Sequence, residues 1–199
     1  ARAVASVALA GGDRVLLHPL FGQGELEELR GKKMSPRGLE RLAALAQQPA
    51  APQFNGLRLH RRLPPTSVWI VISDFYFDDA DSQWRTLLQR AQEGARWVIL
   101  VELDSWPAER ALLLGGAAEV DGPGLEQPLR RQLDDSQAAT VEARIRSHTA
   151  GLWQDVRRGG LDHVLWSWPE PLVTDGGGTC FTGWFLHEPV LQRLFGKRG

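Results

Sequence analysis

The chain runs to 199 residues, 43% of them hydrophobic and 24% charged, with a formal net charge of −1. This length suits a single domain with a sizeable core, and the near-neutral balance gives no global attraction for nucleic acid or an anionic membrane, leaving only local patches such as "LHRRL" at 59–63. One cysteine, Cys180, excludes an internal disulfide framework and a cysteine-based zinc site, and no apolar run is long enough to span a bilayer.

"ARAVASVALA" at 1–10 puts Val4, Val7 and Ala8 on one helical face, with Gly11 and Gly12 as the stop. It starts without an initiator methionine, inside what reads as a helix; a cytoplasmic location is expected, with room for a membrane anchor upstream of Ala1. "DRVLLHPLF" at 13–21 is apolar on both sides except for His18, as a strand covered on both faces would be, and Pro19 places its far end at an edge or a bulge. "SPRGLERLAALAQ" at 35–47 predicts a helix with Ser35 as N-cap and Pro36 at its first position. A Pro- and Asn-bearing connector follows at 48–56, then "LRLHRRLPP", a short outer strand or loop.

"VWIVIS" at 68–73 is a continuous apolar run rich in β-branched residues, the pattern of a central parallel strand. A helix is expected from about 81 to 93, with Trp84, Leu87, Leu88 and Ala91 on one face, and "WVILVEL" at 97–103 is a second buried strand that again ends in an acid, Asp104. Strand, helix and strand at this spacing make a βαβ unit of a doubly wound sheet. Residues 105–131 read as short strands or a small insertion between glycines and prolines. The longest helix spans roughly 135–158, with Arg157 and Arg158 in its last turn and Gly159 and Gly160 after it; "LDHVLWSW" at 161–168 reads as a further strand and "EPVLQRLF" at 188–195 as a terminal helix.

Ligands of open α/β sheets bind beyond the carboxyl ends of the strands, where loops converge. Asp74 follows "VWIVIS" directly, and Asp78, Asp79 and Asp81 come close behind it. A hard cation such as Mg²⁺ takes oxygen ligands from more than one segment, and Asp74 at a strand end with Ser35 at a helix N-terminus are the right types. The competing structural account is that Asp74 or Asp81 caps the next helix, Asp78 and Asp79 are solvated, and Ser35 is explained by capping alone. The five histidines, His18, His60, His148, His163 and His187, have no ligand spacing and read as surface or satisfied core residues. "DGGGTC" at 175–180 neither follows a buried strand nor opens a helix and reads as a loop. Of eight tryptophans, Trp69, Trp84, Trp97, Trp153 and Trp166 fall where core packing explains them, while Trp106, Trp168 and Trp184, if exposed together, would form a partner-binding patch.

Taken in order, "GGDRV" at 11–15 after an Ala-rich helix, "VWIVISDFYFDD" at 68–79, the helix at 135–158 and "GGLDHVLWSWPEPL" at 159–172 resemble the bacterial family called domain of unknown function fifty-eight over nearly the whole chain. The resemblance implies an α/β, von Willebrand factor A-like (Rossmann-like) three-layer sandwich with a mostly parallel central sheet, here a single domain over 1–199 without its first strand. It also implies a non-catalytic protein-interaction domain, working with a MoxR-type AAA+ ATPase in the assembly or maturation of other proteins. In such domains a metal site joins an Asp-x-Ser-x-Ser loop after the first strand, a Ser or Thr from a second loop and an Asp from a third. Asp74 matches the third position and Ser35 is the nearest candidate for the second, so Mg²⁺ is the implied ion; the first loop is absent here, which leaves the ligand set incomplete. This sequence departs from the family in "LDSWPAE" at 103–109, where an Asp-Pro-type turn is usual, and in the Gly-rich "VTDGGGTCFTGWFLHEP" at 173–189. From the residues alone the alternative is a Mg²⁺-dependent hydrolase or nuclease-like enzyme using Asp74 with Asp78 or Asp79 to activate water.

Overall fold

The computed structural model describes residues 2–21, 27–31, 35–47, 54, 66–77, 81–95, 97–116, 118–120, 129–167 and 188–195. Helix α1 (Arg2–Ala10) ends in a Schellman turn: the Asp13 N–H reaches the Ala8 carbonyl at 3.0 Å and the Gly12 N–H reaches that of Leu9 at 2.9 Å, with Gly12 at φ 82°. Strand β1 (Val15–Leu17) pairs antiparallel with β2 (Glu27–Leu29). Ala5 and Leu9 of α1 cover this hairpin at Leu29, Val15 and Leu17, which makes a small core of its own. The two-faced strand expected over 13–21 is therefore only three residues long. His18 and Pro19 end it, because proline has no N–H to give the ladder.

Helix α2 (Pro36–Gln47) begins as expected, with the Ser35 hydroxyl accepting the Gly38 N–H at 3.1 Å and proline at its first position. The main sheet is parallel, in the order β3 (Val68–Ser73), β4 (Trp97–Asp104), β7 (Asp162–Ser167). Among the described strands β4 lies between β3 and β7. Alternation along β4 then sorts the core into two layers. Val98 and Leu100 face α3 (Gln83–Gly94) and α5 (Asp135–Arg158), packing with Trp84, Leu87, Leu88, Ala91, Trp153 and Val156; Ile99 and Val101 face α6 (Pro189–Phe195), packing with Val164, Val190 and Leu194. The result is an α/β fold in which helices flank a three-stranded parallel sheet.

The connection from β4 to β7 departs most from expectation. Within the region read as short strands or a small insertion it opens with a helix that was not expected, α4 (Trp106–Gly115), and then forms a short antiparallel pair, β5 (Ala118–Val120) with β6 (Leu129–Arg131). Pro107 sits in the first turn of α4, where a missing N–H removes no helical bond.

Helix α5 has the firmest ends. The Asp134 carboxylate accepts the Gln137 N–H at 2.8 Å, the Gln137 side chain accepts the Asp134 N–H at 3.1 Å, and at the far end the Leu161 and Gly160 N–H groups close a Schellman turn on Val156 and Arg157, with Gly160 at φ 66°. Asp134→Ala is expected to lower stability by about 1 kcal/mol through loss of this capping box, read as a shifted denaturation midpoint with unchanged denaturant sensitivity.

Candidate functional site at the strand ends

The carboxyl ends of β3 and β4 and the start of α4 bring four acids to one tyrosine. Asp74 leaves β3, Glu102 and Asp104 lie at the carboxyl end of β4, and Glu109 is in the first turn of α4. Tyr76, two residues past Asp74, is about half buried; that burial, with the negative charge of Asp104, Glu109, Asp74 and Glu102 added to it, holds its phenol well above the ordinary tyrosine range. A phenolate here would be both desolvated and repelled, so the face is electronegative around a protonated phenol.

Most of these acids have local work. Asp74 Oδ1 accepts the Tyr76 N–H at 3.1 Å, Asp104 Oδ1 accepts the Trp106 N–H at 3.2 Å as α4 begins, and Glu109 accepts the Ser105 hydroxyl at 2.6 Å. The Ser167 hydroxyl, at the end of β7, lies 3.4 Å from Asp104 Oδ2. Glu102 is different in kind: only 7% exposed, it meets His163 Nε2 at 2.8 Å, and Trp153 stacks on the imidazole with ring centroids 3.7 Å apart.

The turn carrying Asp74 is strained. Phe75, fully buried, has φ 60°, a left-handed conformation that costs a residue with a Cβ about 1 kcal/mol. Its N–H goes to the Ser73 hydroxyl at 3.1 Å and its carbonyl accepts from His148 Nε2 of α5, also at 3.1 Å. Its ring packs on Trp84 and Trp153 at 5.4 and 5.1 Å, while Phe77 continues the aromatic cluster to Phe21 and Phe54.

Ser35 and Asp74 are thus each occupied by a turn or cap bond of their own segment, and no hydrogen bond among the described residues joins them. A hard divalent ion needs about six oxygen ligands. Among the described residues no group of three or more His, Cys, Asp or Glu is placed to hold a metal ion, so these residues do not fit an Mg²⁺ site by themselves. Asp78 and Asp79 lie outside the described residues, as do "LRLHRRLPP", Cys180 and the Gly-rich loop at 175–180.

The cap expected from Asp74 or Asp81 on α3 is not made. Ser82 occupies the cap position at φ 54° without a side-chain bond, and Asp81 accepts the Gln83 side-chain amide at 3.4 Å. Trp106, expected beside a loop as part of an exposed tryptophan patch, is 6% exposed at the start of α4; Trp168 and Trp184 lie outside the described residues.

Tyr76, Glu102, Glu109 and His148 escaped the sequence reading as members of the site. Glu102 left a signal: alternation puts it on the face of Val98 and Leu100, and an acid in that position needs a partner. His163, expected to be a surface or a satisfied core residue, pairs with it. Among the described residues no helix is long and apolar enough to cross a membrane. No protein-family model, no curated protein and no solved structure matches the chain.

Proposed function

We propose that this chain is a non-catalytic protein-interaction domain of von Willebrand A-like architecture that presents the carboxyl ends of its parallel strands to a MoxR-type AAA+ ATPase acting in the assembly or maturation of other proteins. The partner comes from the ordered sequence resemblance. The observation that carries the reading of the face is the group of acids whose charge acts on Tyr76: Asp74 and Asp104 accept backbone N–H groups of their own turns, Glu109 takes the Ser105 hydroxyl and the buried Glu102 pairs with His163, so Asp74, Asp104 and Glu109 shape an electronegative surface instead of converging on one point where water could be activated.

The experiment is a binding titration of the chain against a MoxR-type AAA+ ATPase, with Asp74→Lys and Asp104→Lys as charge reversals. Binding that weakens about tenfold or more in each reversal, and with added salt, is the expected result. No binding by the unsubstituted chain sinks the proposal. Mg²⁺- or Mn²⁺-dependent hydrolysis of DNA or a phosphate ester, lost in Asp74→Ala, would replace it with the hydrolase reading.

A further inference from the structure

The bonds that shape the turn after β3 differ in reach. The Ser73 hydroxyl on the Phe75 N–H and the Asp74 carboxylate on the Tyr76 N–H both come from within the turn and travel with it. The His148 bond comes from α5, 73 residues along the chain, and ends on the carbonyl of the strained, fully buried residue. A carbonyl only accepts, so the ring nitrogen facing it carries the proton. A buried carbonyl with no donor is unfavourable, and the cheapest escape is to rotate it toward water. That rotation takes Phe75 out of the left-handed region and its ring away from Trp84 and Trp153. It also carries Tyr76, the next residue, away from the acids that surround it.

We propose that His148 is the positioning residue of this strand end, its imidazole N–H holding the Ser73–Phe77 turn in the conformation that keeps Phe75 in the core and sets Asp74 and Tyr76 at the binding face. The use of that face rests on the function proposed above; the shape of the turn does not, and it is measured without any partner.

Tyr76 is the only tyrosine of the chain, so phenolate absorbance reports on this turn alone. In the unsubstituted protein Tyr76 stays protonated past the ordinary value of about 10. His148→Ala brings its midpoint back toward that value, and His148→Gln, whose amide N–H has similar reach, restores the high one. Val156→Ala, which weakens the same core away from the turn, leaves the titration in place while the protein is folded. Linkage adds a sign. The native state holds the phenol proton more tightly than the unfolded chain does, so this contribution to stability is present below about pH 10 and is lost as pH rises toward the native value, a loss that is shallower in His148→Ala.

A folded His148→Ala protein whose Tyr76 still titrates as in the parent overturns the proposal. So does a folded His148→Gln protein whose Tyr76 titrates near the ordinary value. Where His148→Ala fails to fold, nitrogen-15 spectra of the unsubstituted protein decide. A neutral His148 ring protonated at Nε2 supports the bond, and one protonated only at Nδ1 overturns it. Loss of ATPase binding with these results intact would remove the proposed partner and leave the positioning role standing.

Discussion

Trp84→Ala is expected to cost about 3–5 kcal/mol, a large part of the roughly 5–15 kcal/mol that holds a domain folded. Trp84 is 1% exposed and sits at the meeting of three structural facts. It lies on the buried face of α3 with Leu87, Leu88 and Ala91, it packs against the layer of β4 that carries Val98 and Leu100, and its ring touches both Phe75 and Phe77 at centroid distances of 5.4 and 5.7 Å. Truncation removes the transfer energy of an indole and leaves a cavity that flat aromatic neighbours fill poorly. The turn carrying Asp74 should loosen as well, because Phe75 holds its left-handed conformation only while its ring has a place in the core. The control is Leu112→Ala on α4. That side chain is 57% exposed, and its loss should move stability by less than about 0.5 kcal/mol. Urea midpoints of the two variants test the pair; equal shifts would mean that the aromatic cluster does not organise this layer.

The main sheet and its largest helices were legible in the sequence because each carried two independent signals. β3 and β4 are apolar runs that end in acids, and α5 has an acidic start, a periodic face and a glycine pair at its end, matching the observed Asp135–Arg158. Helix α4 was not legible because Trp106 and Pro107 look like punctuation. Pro107 is harmless in a first turn, and the helix gains from tertiary support, since the Leu113 carbonyl accepts the Leu133 N–H and Arg110 pairs with Asp135 of α5. The left-handed Phe75 could not be read from "DFYF", where no glycine or asparagine announces a positive φ. Only part of the candidate site was visible, for a similar reason. Asp74 and Asp104 advertise themselves at strand ends, whereas Glu109 and His148 join them from α4 and α5, and Tyr76, two residues past Asp74, carries no sequence signal of its own.

His163→Phe is expected to cost about 3 kcal/mol, and Glu102→Leu added to it to recover most of that loss. The two side chains are 21% and 9% exposed, so their 2.8 Å contact is largely removed from water. Phenylalanine keeps an aromatic ring to stack on Trp153 but removes the N–H that Glu102 uses, stranding a carboxylate on the face shared with Val98 and Leu100. Stranding one member of a buried charged or hydrogen-bonded pair costs far more than the intact pair contributes, and replacing both by apolar groups of similar size is often close to neutral. The double variant should therefore lie within about 1 kcal/mol of the parent, giving a coupling energy of roughly 2 kcal/mol in a double-mutant cycle. Additive losses would show that the pair contributes no coupling and that each side chain acts through packing alone. With the predicted coupling, the Glu102–His163 pair is a largely buried brace between β4 and β7.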